Sequence, residues 1–109
     1  MKKYVLENYI FRHYNEEYKV TLKANTYSNN KRFAAQMIDE DGIPVARITV
    51  NIAANLSKNE PNINFVDTNN LPNIEQFLTE NKIAKPTGNY AASGYCVYPE
   101  YEFDLTKFE

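Results

Sequence analysis

One pair in this chain could supply a nucleophilic thiol with a base: Cys96 and His13, its sole cysteine and sole histidine. A reactive thiolate needs a base beside it and commonly an orienting acid. These two stand at opposite ends of the sequence, so the expectation is a small thiol on a strand and a histidine at a turn. A metal site would have to be completed by carboxylates, yet Asp39-Glu40-Asp41-Gly42 lacks the later Glu and the spacing of a calcium loop. It reads instead as a hairpin turn. With three glycines in all, no phosphate-cradling loop of the P-loop or dinucleotide-binding kind can be assembled. Neither an enzyme nor a bound cofactor is expected.

Binding chemistry is better represented. Gly88 and Gly94 bracket Asn89-Tyr90-Ala91-Ala92-Ser93, after Lys85-Pro86-Thr87, a loop able to bring backbone amides near a ligand or to serve only as a connection. Tyr90, Tyr95, Tyr98 and Tyr101 concentrate rings that combine apolar area with a hydrogen-bonding tip, as contact surfaces do. Some of these rings must also serve the core, because the chain has no Trp. The candidate binding surface is therefore Lys85, Thr87, Gly88, Tyr90, Ser93, Gly94, Tyr95, Tyr98 and Tyr101. Lys19, Lys23, Lys31 and Arg32 place charge along one hairpin, but Glu7, Glu16 and Glu17 lie close in sequence and the net charge is −2. Nucleic acid is thus disfavoured as a partner.

The elements that must carry these residues follow from turn chemistry and apolar alternation. Tyr4 to His13 is a β-branched and aromatic run ending in the polar turn Tyr14-Asn15-Glu16-Glu17. Tyr18, Val20, Leu22 and Ala24 then alternate with Lys19, Thr21 and Lys23, which predicts a strand with one wet face. Tyr27 to Arg32 is a loop in which Asn29 and Asn30 can take positive φ. Phe33 to Ile38 and Ala46 to Ile52 are joined by Asp41-Gly42, a strong hairpin signal, with Pro44 at a strand start or an edge. Adjacent strands should pair in order.

Asn55 to Pro61 reads as a loop, and Ile63 to Val66 as a brief fifth strand. Ile74, Phe77 and Leu78 at helical spacing predict one helix over 72–82, with Pro72 in its first turn, Glu75 near its start and Lys82 near its end. So short a helix must dock its apolar face on the sheet. Lys85 to Asn89 breaks it. Tyr101, Phe103 and Leu105 alternate with Glu100, Glu102 and Asp104 in a last strand, which Pro99 separates from an extended piece before it. The reading is α+β: an antiparallel meander of five to six strands with one short helix on one face, in one domain over 1–109, as the length of 109 residues also suggests.

Val66-Asp67-Thr68-Asn69-Asn70, the helix after it, Lys85-Pro86-Thr87-Gly88, Ser93-Gly94-Tyr95-Cys96 and Tyr98-Pro99-Glu100-Tyr101-Glu102-Phe103 resemble a family of small uncharacterised proteins. That family, a domain of unknown function, occurs in low-GC Gram-positive bacteria, their phages and conjugative elements. The likeness extends to Ile38-Asp39-Glu40-Asp41-Gly42 and the strand after it. It implies a genomic setting and assigns no site residues.

The function expected is a non-enzymatic accessory protein of a phage or mobile element that binds a host or element protein, interference with a host defence system being one version. The alternative is a small-ligand binder with a pocket between the helix and the 85–94 loop. No leader is expected, because polar groups break the stretch after Lys2 and Lys3, and no run of apolar residues is long enough to span a membrane. A lone cysteine suits a reducing cytoplasm. A homodimer through an exposed edge strand is compatible with this pattern.

Overall fold

The computed structural model describes residues 8–108, so Tyr4 to Glu7 of the expected first strand lie outside the described residues. Strands β1 (Tyr9–His13), β2 (Glu16–Thr26), β3 (Phe33–Ile38) and β4 (Pro44–Arg47) form an antiparallel sheet in chain order. The registers Tyr9↔Val20, Leu22↔Met37 and Met37↔Ala46 gather the apolar half of each alternation on one face. Val20 and Leu22 are buried there while Lys19 and Lys23 point to water. Positive φ falls on Gly42 (79°) in the third turn, as Asp-Gly implies, but on Lys31 (62°) in the second, not on Asn29 or Asn30. Those two asparagines instead spend their side chains on bonds to Asn51, at 2.9 and 3.0 Å.

The fourth strand ends at Arg47 and does not continue to Ile52. Ile48 and Thr49 are both buried, and successive residues of a one-sided strand cannot both face the core. The chain therefore leaves the first sheet here and pairs Thr49 with Val66 of the second. That sheet has the order β5 (Ile63–Phe65), β7 (Cys96–Phe103), β6 (Ala84–Ser93). The α+β class and antiparallel pairing are as expected, with seven strands among the described residues divided between two sheets. Two buried polar groups occupy the junction. Thr49 Oγ1 accepts the Ala35 amide at 3.1 Å, and Asn64 Nδ2 donates to the Phe33 carbonyl at 2.8 Å.

Two expectations are corrected in the second sheet. Residues 85–93 belong to strand β6 rather than to a loop, and β7 runs through Pro99 without a break. Proline is tolerated in this central strand because its missing donor falls where one ladder stops. The Pro99 carbonyl accepts the Val66 amide at 2.9 Å, and the Val66 carbonyl, which an amide at position 99 would have served, takes the Thr68 amide at 2.9 Å.

Helix α1 spans Ile74–Glu80, shorter than the expected 72–82, with Pro72 just ahead of it and Lys82 beyond it at φ 56°. Its first residue buries together with Phe77 and Leu78. The Phe77 ring meets Tyr9 and Phe11 edge-on, with centroids 6.1 and 5.2 Å apart. No helix among the described residues is long and apolar enough to cross a membrane. A seven-residue helix has little stability of its own, so this docking is what holds it. Phe77→Ala is expected to lower unfolding free energy by about 3–5 kcal/mol, read as a fall in the midpoint of chemical denaturation.

Candidate functional site

Strand β6 is irregular where its sequence is Pro86-Thr87-Gly88-Asn89. Pro86 pairs with Tyr101 and Tyr90 with Pro99, so three residues of β6 lie opposite the single residue Glu100. Gly88 supplies the turn of this bulge at φ 92°. Into the space so made goes the Glu100 side chain, which is fully buried. Its carboxylate accepts the Ser57 amide at 2.8 Å, the Thr87 hydroxyl at 2.7 Å and the Asn89 amide nitrogen at 3.2 Å, and it also bonds the Ser57 hydroxyl. Among the described residues it pairs with no cation. Burial would raise this carboxyl, but the bonds from Ser57, Thr87 and Asn89 outweigh that effect and hold it below the usual carboxylate range.

Sequence reasoning set Glu100 in the alternation opposite Tyr101 and Phe103 and gave it no role. The available signal was Thr87-Gly88-Asn89, two hydrogen-bonding side chains on either side of a glycine, which is the make-up of a bulge that closes on an acceptor.

The candidate surface divides in two. Tyr98 and Tyr101 are 8% and 2% exposed, so they are core residues and not contact residues. Tyr101 lies on the face that joins the main core and donates to Glu75 Oε1 at 2.7 Å. Burial and that carboxylate push its hydroxyl up. Tyr98 faces the other way, against Ile52 and Phe65, and its bond with Cys96, followed by burial, pushes its hydroxyl up. Lys85, Thr87, Gly88, Ser93 and Gly94 are exposed along β6 and its turn.

Beyond the bulge, β6 and β7 continue as a hairpin closed by Gly94, at φ 61°. The registers Tyr90↔Pro99 and Ala92↔Val97 put these four residues on the face that carries Tyr101 and Phe103 further in. At its inner end this face is core; at its outer end it is bare. Tyr90 is 62% exposed, Val97 60% and Tyr95, at the tip, fully exposed.

His13 ends β1 and stacks on Phe11, while Cys96 starts β7 beside Tyr98. The fold sets them in different sheets. Among the described residues, no group of three or more His, Cys, Asp or Glu side chains is arranged to hold a metal ion. A groove of about 660 Å³ does lie between the end of α1 and the start of β6, with Lys82, Lys85, Glu102 and Asp104 on its walls. Of the candidate residues it includes Lys85 alone.

Residues 21–109 match the family model described as a domain of unknown function, DUF4313. The chain belongs to the DUF4313 family. The matched span holds β3 to β7, α1, most of β2 and every residue of the Glu100 site. No curated protein and no solved structure gives a significant match.

In this DUF4313 domain the Glu100 bonds make a direct prediction. Glu100→Gln turns one of the accepting oxygens into a donor that faces donors, and is expected to cost about 1–3 kcal/mol in denaturant unfolding. Because folding lowers the pKa, the stabilisation is complete above the ordinary glutamate value and is lost as the pH falls through the lower, folded value. The wild type should therefore lose more stability than Glu100→Gln between neutral pH and strong acid. Parallel pH profiles of the two proteins would contradict this.

Proposed function

We propose that this is a non-enzymatic accessory protein that works by binding another protein, and that the outer half of the β6–β7 hairpin is its contact surface. One observation carries the reading: an apolar sheet face that is core at Tyr101 and Phe103 continues uncovered through Val97, Ala92 and Tyr90. Exposed apolar area that continues a core face is costly to leave in water and is typical of surfaces that meet a partner. Tyr90 and Tyr95 add two rings with polar tips, the type enriched where binding energy concentrates. The segment Asn89 to Gly94 carries no charge, which agrees with the depletion of charge at the centre of interfaces.

The setting that fits is a phage or conjugative element of low-GC Gram-positive bacteria, with the protein acting in the host cytoplasm on a host or element protein, components of host defence included. Abundant Asn, Lys, Ile and Tyr support an AT-rich coding sequence.

The test is capture from a low-GC host lysate by tagged wild type and by Tyr95→Ser/Val97→Lys. Both substitutions lie on exposed side chains, so the variant should keep its stability to within about 0.5 kcal/mol while losing a protein that the wild type retains. If wild type and variant retain the same set, or if neither retains a specific protein, the reading fails.

A further inference from the structure

A second site lies on residues that the hairpin does not use. The loop between β2 and β3 and the loop before β5 face one another across a groove of about 560 Å³. Lys31 and Arg32 stand on one side, Asn55, Lys58, Asn59 and Glu60 on the other. Three cations thus meet one carboxylate in a chain whose net charge is −2. Among the described residues none of Lys31, Arg32 and Lys58 forms an ion pair, and what sets them apart from the other unpaired cations is that two loops bring all three to one groove. Like charges brought together in excess of their counter-charge repel, and a bound anion relieves that repulsion.

Both walls are held in place. The Arg32 amide donates to Asn30 Oδ1 at 3.0 Å, and its guanidinium donates to the Ile52 carbonyl at 3.0 Å, which fixes the fork at the groove. Lys31 sits at positive φ within a loop closed by its amide on the Tyr27 carbonyl at 2.8 Å. On the other wall, the Ser57 amide is tied to Glu100, which anchors the loop that presents Lys58. The volume falls within the range of small-molecule sites.

We propose that this groove binds a phosphate-bearing ligand, with Lys31, Arg32 and Lys58 as the phosphate contacts and the side-chain amides of Asn55 and Asn59 as neutral donors beside them. A guanidinium fork with two ammonium groups matches the several oxygens and multiple charge of a di- or triphosphate. The same chemistry is offered by a free nucleotide and by the backbone of a single strand.

The experiment is an amide-resolved NMR titration at low salt with inorganic pyrophosphate, ATP and an oligothymidylate, on wild type and on Lys31→Asn/Lys58→Gln. Asparagine tolerates the positive φ at position 31, Lys58 is exposed, and Arg32 is left alone because its bond to Ile52 is structural. Shifts confined to residues 29–33 and 55–60, with affinity falling about tenfold in the variant, are expected. If pyrophosphate and ATP titrate these amides, the ligand is a free phosphate compound. If the oligothymidylate binds more tightly, with a slope of log K on log salt near −2 that drops to about −0.7 in the variant, the source is a strand. Absence of shifts with all three probes overturns the proposal. So does equal affinity in the variant, or equal binding of an oligoglutamate peptide, which would reduce the groove to unselective charge. None of these outcomes touches Tyr90, Tyr95 or Val97, so failure here and failure of the hairpin reading are separately visible.

Discussion

A carboxylate taken out of water without a cation beside it must be met by hydrogen-bond donors, or it costs several kcal/mol. Glu100 is in that position, at the centre of the middle strand of the second sheet, and its donors come from two segments remote in sequence. Thr87 and Asn89 reach it only because β6 bulges, and the bulge exists only because Gly88 accepts positive φ. Ser57 reaches it only because the long connection after Ile52 folds back over β7. One charge therefore sets the course of two stretches of chain that apolar packing alone would leave underdetermined.

The two sheets are tied together by a comparable economy of polar groups. They share no continuous ladder, only the crossing segment around Thr49 with its bridge to Val66. Apolar contact between Phe33, Phe103 and Phe108, with centroids 4.9 to 6.0 Å apart, supplies cohesion without fixing a register. Register comes from Thr49 on the Ala35 amide and Asn64 on the Phe33 carbonyl, each of which satisfies a buried group only in one alignment. The helix then closes the open end through Phe77. Energy and alignment are thus supplied by different residues.

What the sequence revealed, and what it concealed, divides along the same line. The alternation from Tyr18 to Ala24, the Asp41-Gly42 turn and the helical spacing of Ile74, Phe77 and Leu78 are local patterns whose physics acts within a few residues, and each lies where those patterns placed it. The strand from Ala84 to Ser93 was hidden because Pro86 and Gly88 carry loop chemistry, and here they build a bulge inside a strand. Pro99 read as a break because the compensating bond from Thr68 to Val66 is a tertiary fact. Tyr98 and Tyr101 read as surface because the alternation of β7 says nothing of what covers each face. From Tyr98 inward both of its faces are covered, one by the main core and the other by the segment around Ile52. Lys31 and Arg32 looked like part of a diluted hairpin charge because Lys58, which completes their groove, is supplied by another loop.

Glu100 also links the bare hairpin face with the groove between the loops of Lys31 and Lys58. On one side its bulge lies at the inner end of the hairpin, beyond which the face of Tyr90 and Val97 is bare while the opposite face packs on Ile52 and Phe65. On the other its bond to Ser57 fixes the loop that presents Lys58 across from Lys31 and Arg32. A residue at position 100 without acceptor atoms would leave the donors of Thr87, Asn89 and Ser57 unmet in a single step. Two surfaces with no residue in common thus depend on the same carboxylate. Their geometry is coupled through a group that belongs to neither, because an unpaired buried charge admits few arrangements and each requires both neighbours to be in place.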